Sequence, residues 1–92
     1  MSDLAELRKQ VLAANHAWVQ AGKDYDVALD KWTDAKLARA SEEILTRLWA
    51  DVGAAMEKRK FAGGARYQAI LESRKAEWQT LARPLYDKLS GG

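Results

Sequence analysis

The chain holds few of the side chains that usually carry catalysis or bind metal ions. His16 is its only histidine, and it contains no cysteine. A zinc site needs three or four ligands, usually with histidine or cysteine at fixed spacing, so His16 is predicted to be a surface side chain. The sequence therefore predicts no catalytic residue, no metal site and no cofactor, which favours a binding protein over an enzyme.

Four aspartates lie close together, at Asp24, Asp26, Asp30 and Asp34. The last three are four residues apart and would line one side of a helix. A calcium loop alternates its oxygen ligands and includes a glycine, and this pattern is absent here. We interpret the aspartates as a solvated helix face that neighbouring lysines neutralise. A docking surface for a basic partner is the alternative.

Positive charge collects in the second half of the chain. Residues 1–46 hold six Lys/Arg and eight Asp/Glu, whereas residues 47–92 hold nine and five. Phosphate neutralisation drives nucleic-acid binding, and basic groups interleaved with aromatic rings are typical of single-strand sites. A basic surface on residues 58–83 would contact an anionic partner through Lys58, Arg59, Lys60, Arg66, Arg74 and Lys75.

Gly63-Gly64 is the clearest predicted break in the chain. A turn there would bring the run from Lys58 to Lys60 beside Arg66 at one corner of the molecule. Basic residues near the C-terminus of a helix also stabilise its dipole, which is the alternative interpretation of the run. Arg74 lies within an apolar stripe, where we expect it to reach solvent or to pair with an acidic side chain.

Tryptophan makes up four of the eight aromatic residues. Three tryptophans fall on apolar helical stripes and are predicted to be core: Trp18, Trp32 and Trp78. Trp49 lies about 80° from the centre of its stripe, and a second small apolar strip runs along the first helix. Because tryptophan is enriched at interface hot spots, the residues predicted to contact a partner are Trp49, Leu12, Val19 and Met56. Bundle core is the alternative for each of them.

Three amphipathic segments are predicted to position these side chains. Apolar residues recur at spacings of three and four from Leu4 to Ala21, with Asp3 as the N-cap and Gly22 ending the helix. The last segment runs to Leu89, and Pro84 should kink or restart its helix. The sequence thus predicts an all-α fold, an elongated antiparallel bundle of three helices at about 3–21, 24–61 and 65–89.

The middle segment leaves one choice open near Ser41. The direction of its apolar stripe changes there by roughly 140°. Ser41 followed by two glutamates is a good N-cap for a new helix, in which case the bundle has four helices. No glycine or proline lies near Ser41 and the local helix propensity is good, so we favour one long helix.

Length and composition indicate a single folded domain over residues 1–92, since the chain is 48% hydrophobic and 30% charged. A chain this short has a thin core, and many such proteins associate with themselves or with a partner. No apolar run approaches the roughly 18 to 20 residues of a membrane helix. The N-terminus lacks the features of a signal peptide, so we expect a cytoplasmic protein without membrane contact.

These observations predict a non-enzymatic protein–protein interaction module, namely an inhibitor, an adaptor or a structural subunit of a larger assembly. Its partner would be another protein or a second copy of the chain. The alternative is a nucleic-acid-associated protein that uses the basic surface on residues 58–83. A third hypothesis, an enzyme with an arginine-lined pocket, requires a closed cavity containing Arg74 and another buried basic residue.

Overall fold

A computed structural model describes residues 3–91, which fold into an antiparallel helical hairpin. Helix α1 spans Leu4–Leu37 and helix α2 spans Glu42–Glu77. A π-helical turn at Trp78–Ala82 leads into the short helix α3, Arg83–Leu89. The described residues contain no β-strand, so the all-α prediction is confirmed.

Side-chain caps fix where the two long helices begin. The Asp3 carboxylate accepts a hydrogen bond from the Ala5 backbone N–H at 3.3 Å, as predicted for the start of α1. Ser41 Oγ accepts from the Ile44 backbone N–H at 3.3 Å and starts α2. Between the helices Arg39 adopts a positive φ of 58°, which lets the chain reverse within four residues.

The predicted helix boundaries at Gly22 and at Gly63-Gly64 are wrong. α1 continues through Gly22 and α2 continues through the glycine pair. The three-helix bundle with a middle helix at 24–61 is therefore not formed, and the break near Ser41 is the hairpin turn. A glycine inside a helix costs about 1 kcal/mol, which the packing of a long apolar face outweighs.

That packing follows an unbroken seven-residue repeat, which we call the seam. Spacings of three and four alternate throughout, as in a left-handed coiled coil. Apart from Arg59, every seam residue is buried or half-buried. On α1 the seam consists of Leu4, Leu7, Val11, Ala14, Trp18, Ala21, Tyr25, Ala28, Trp32 and Ala35. On α2 it consists of Leu45, Leu48, Val52, Ala55, Arg59, Ala62, Arg66, Ala69, Ser73 and Ala76.

The second helical rod is longer than the first. Arg8 lies opposite Glu77 and Trp32 opposite Trp49, so the register places Leu4 near the end of α2. Within residues 3–91, neither the π turn nor α3 has a Cα within 8 Å of α1. Residues 78–89, which we call the C-terminal extension, therefore project beyond the paired part of the hairpin.

Pro84 explains the irregular start of the extension. It is the second residue of α3, as the sequence predicted for a restarted helix. Proline lacks a backbone N–H and its ring would clash with the carbonyl of Thr80 in a regular α-helix. The π turn, which contains Thr80, relaxes this geometry.

The resulting molecule is long and thin, with principal extents of 72 × 22 × 15 Å. Its radius of gyration is 21.0 Å, compared with about 12 Å for a compact domain of this length. In the part of the chain that the structure describes, no helix combines the length and apolar character needed to cross a membrane.

Candidate functional site

The residues that line an open groove between α1 and α2 show which side of each helix contributes to the same surface of the hairpin. The groove has a volume of about 490 Å³ and is lined from α1 by Arg8, Val11 and Leu12 and from α2 by Ile70, Ser73, Arg74 and Glu77. In a coiled coil, residues seven apart lie on the same side. Val19 therefore lies on the same side as Leu12. On α2, Met56 and Trp49 lie in line with Ile70, and Tyr67 lies in line with Arg74.

The structure brings the four predicted partner-binding residues to this one side of the hairpin. Their exposed fractions are 69% for Leu12, 44% for Val19, 54% for Trp49 and 40% for Met56. None of the four residues therefore belongs to the core between α1 and α2. Tyr67, 60% exposed, and half-buried Ile70 extend the surface and were not predicted. We call these six residues the outer apolar face.

Trp49 is held in place by a second tryptophan. Its ring lies 4.9 Å from that of Trp32, centroid to centroid, at an angle of 55°. The ammonium group of Lys36 lies 4.9 Å from the centroid of the Trp32 ring on the same helix side. A side chain that is already held in place loses little conformational entropy when a further contact forms.

The opposite side of the hairpin differs in character. Val27 and Phe61 are exposed there, 53% and 82%, but charged residues separate them. A small groove on this side is lined by Asp24, Lys31 and Asp51 among others. Isolated apolar side chains between charges are normal on protein surfaces, whereas a continuous apolar strip marks an interaction site.

Two of the six predicted anion-binding residues lie in the seam instead. The Arg66 guanidinium is 4.9 Å from the centroid of the Trp18 ring, and its Nε donates a 2.7 Å hydrogen bond to Asn15 Oδ1. The Arg59 guanidinium lies 5.6 Å from the centroid of the Tyr25 ring. Cations over aromatic faces stabilise the hairpin from within, so these two arginines have intramolecular roles.

The predicted basic corner is not formed, because α2 runs straight through Gly63-Gly64. Successive helical residues point about 100° apart, so Lys58, Arg59 and Lys60 spread around the helix. Lys60 Nζ lies 3.9 Å from Glu57 Oε1 on the same exposed surface.

The remaining two predicted basic residues, Arg74 and Lys75, are exposed. Arg74 lines the groove, where Arg8 Nε lies 3.6 Å from Glu77 Oε1. The groove is open, and both of its arginines are exposed, which differs from the closed pocket that the enzyme hypothesis required.

Charge is distributed unevenly along the length of the hairpin. Residues 24–57, the turn end, hold four basic and eight acidic side chains, a net charge of −4. The remaining residues, the open end, hold eleven basic and five acidic side chains, a net charge of +6. The molecule thus has an acidic turn end and a basic open end.

The acidic residues do not form a metal site in the described part of the chain. Asp26, Asp30 and Asp34 are exposed, in agreement with the predicted solvated face. Within residues 3–91 no group of three or more histidine, aspartate or glutamate side chains is close enough to hold an ion.

No protein-family model matches the chain, and neither a curated protein nor a solved structure matches it.

Proposed function

We propose that the chain is a non-enzymatic protein–protein interaction module whose docking surface is the outer apolar face. The observation that carries the proposal is the convergence of Leu12, Val19, Trp49 and Met56 on one side of a hairpin, all of them exposed. Tryptophan, tyrosine and methionine are enriched where proteins bind one another. An inhibitor, an adaptor or a structural subunit would each use such a surface.

The exposed area of the chain supports the same conclusion. Its accessible surface is 7440 Å², whereas a compact protein of 10.3 kDa exposes about 5,400 Å². Two helices form only one packing layer, and helical domains usually bury their apolar faces in bundles of three or four. A protein docked on the outer apolar face would complete such a bundle.

Site-specific cross-linking in the source cell tests the proposal. A photoreactive phenylalanine derivative would replace Val19 or Met56 on the outer apolar face. In the matched controls it would replace Ala17 or Ala54, which are exposed on the opposite side. We expect cross-links to a polypeptide from the first pair only. Equal yields from both sides, or none from the outer apolar face, would contradict the proposal.

A binding assay distinguishes the nucleic-acid alternative. Retention on DNA or RNA that falls with rising salt, and that disappears when Lys58 and Lys60 are both changed to glutamate, would favour that alternative. We expect neither the variant nor the wild-type chain to be retained at physiological salt, because these side chains do not share one surface.

A further inference from the structure

The C-terminal extension has an apolar side of its own. Trp78, Leu81, Leu85, Tyr86 and Leu89 are between 48% and 86% exposed. The Trp78 and Tyr86 rings lie 5.9 Å apart, which places them on one side. Arg83 and Asp87, whose side chains lie 3.8 Å apart, point to the other. The extension is therefore amphipathic, and none of its described Cα atoms lies within 8 Å of α1.

The π turn brings this apolar side into line with the outer apolar face. A π turn holds about one residue more than an α turn and therefore rotates the following helix backwards. With this rotation the apolar side of the extension points within about 20° of Ile70 and Tyr67, whereas an uninterrupted α-helix would leave it about 50° away. Apolar side chains thus recur on this side from Trp49 to Leu89 along the 72 Å rod, with Lys60, Arg74 and Glu77 between them.

We propose that a second copy of this chain docks antiparallel on that surface and forms a two-fold-symmetric four-helix bundle. The inference rests on the proposed function, since it identifies the occupant of the outer apolar face. A two-fold axis near residue 65, the midpoint of the rod, places the extension of each copy against Trp49 of the other. Such an interface is self-complementary, as a symmetric dimer requires.

The available area is sufficient for a stable dimer. A specific interface of standard size buries about 800 Å² on each partner. The broad side of the hairpin measures 72 × 22 Å, so contact over roughly half of it reaches that size. The chain exposes about 2,000 Å² more than a compact protein of its mass, which is more than such an interface buries on one partner.

The distribution of charge along the chain favours an antiparallel orientation of the two copies. The turn end, residues 24–57, carries a net charge of −4, and the rest of the chain carries +6. An antiparallel pair lays the acidic turn end of each copy beside the basic open end of the other. A parallel pair would place like charges together, which is unfavourable.

The first test is the mass of the full chain in solution, measured by light scattering or sedimentation. We expect twice the 10.3 kDa of one chain. Met56→Glu and Leu85→Glu each introduce a charge into the proposed interface and should weaken dimerisation at least tenfold. Val27→Glu, on the opposite side and 53% exposed, is the matched control and should remain dimeric. Circular dichroism verifies that each variant is helical.

The second test is the orientation of the two copies. The chain has no cysteine, so Ala50→Cys or Ala65→Cys gives a single spin-label site per copy. At 1.5 Å per residue, the antiparallel dimer places the two Ala50 labels about 45 Å or more apart and the two Ala65 labels within about 30 Å. A parallel dimer would give short distances at both sites.

Three results would overturn the inference: a wild-type chain that remains at 10.3 kDa as its concentration rises, a dimer that both glutamate variants leave intact, or short distances at both label sites. If the wild-type chain is monomeric and its outer apolar face still cross-links to a different protein, only the proposal that a second copy docks there is refuted. The proposed function would then stand.

Discussion

The seam of the hairpin and its outer apolar face are built on the same two helices, yet only the seam carries a regular repeat of alanine. Alanine occupies every second seam position, which is every seventh residue, from Ala14 to Ala35 on α1 and from Ala55 to Ala76 on α2. The outer apolar face instead carries tryptophan, tyrosine, methionine and leucine, all exposed. Small seam residues let two helices pack closely. Larger residues such as Trp18 and Trp32 fill the seam positions between the alanines, and the apolar side chains of the outer apolar face remain outside, where their burial requires a partner.

The two surfaces should therefore respond oppositely to substitution, and the largest effect is expected in the seam. Val52 is 1% exposed, and Val52→Asp buries a carboxylate without a partner. We expect the hairpin to lose at least about 3 kcal/mol of stability, which is a large part of the total for a small domain. Urea unfolding followed by circular dichroism measures the loss. Ala54→Asp, an exposed position nearby, should change stability little, and similar losses in both variants would contradict the seam assignment.

A tryptophan on the outer apolar face should matter for binding more than for folding. Trp49→Ala removes a central apolar group, and hot-spot residues of this kind contribute about 2 kcal/mol, or roughly thirty-fold in Kd. Its ring contacts Trp32, so we expect a smaller loss of stability, about 1 kcal/mol. Measured dissociation constants and unfolding curves separate the two effects. A variant that binds normally but unfolds easily would assign Trp49 to the seam.

The arginines of the seam should differ from the exposed basic residues. Arg66→Ala removes the stacking on Trp18 and the hydrogen bond to Asn15, and should cost about 1 to 2 kcal/mol of stability. Lys75→Ala, at an exposed position, should stay within about 0.5 kcal/mol of wild type. Thermal unfolding of the two variants provides the measurement. Equal stabilities would show that Arg66 has no role inside the hairpin.

The smallest expected effect tests whether α2 is continuous. A Cβ added at Gly64 meets no atom within 4 Å, and Gly64 has no positive φ. Gly64→Ala should therefore raise stability by about 0.5 to 1 kcal/mol through its better helix propensity. Thermal unfolding would show the increase as a higher Tm. A loss of stability would indicate a turn at this position, as the sequence had suggested.

The glycines are local break signals, but a seven-residue apolar repeat continues through them and keeps both helices intact. Beyond Gly22, Tyr25, Ala28, Trp32 and Ala35 keep the phase of the earlier stripe. Alanine is a weak apolar signal, so the repeat is easily missed. At Ser41 good helix propensity favours a continuous helix, but the serine cap and the change of stripe direction mark the turn that the structure shows.

The outer apolar face was partly accessible from the sequence. Trp49 lies away from the centre of the apolar stripe of its helix, and Leu12 and Val19 form a separate apolar strip, so their exposure could be predicted. The exposure of Tyr67 could not be predicted, because a helix that begins after Gly63-Gly64 has no fixed register relative to the preceding residues. Correct placement of Tyr67 required the continuous register of α2.

The helical content, the cap at Asp3 and the restart at Pro84 can be predicted from the amino-acid sequence, because they depend on spacing and on neighbouring residues. The single reversal of the chain at Ser41, the faces that remain uncovered and the division of charge between the two ends follow only from the packing of the helices. Those features depend on contacts between residues far apart in the chain, and their combined packing energy exceeds the local cost of a glycine in a helix.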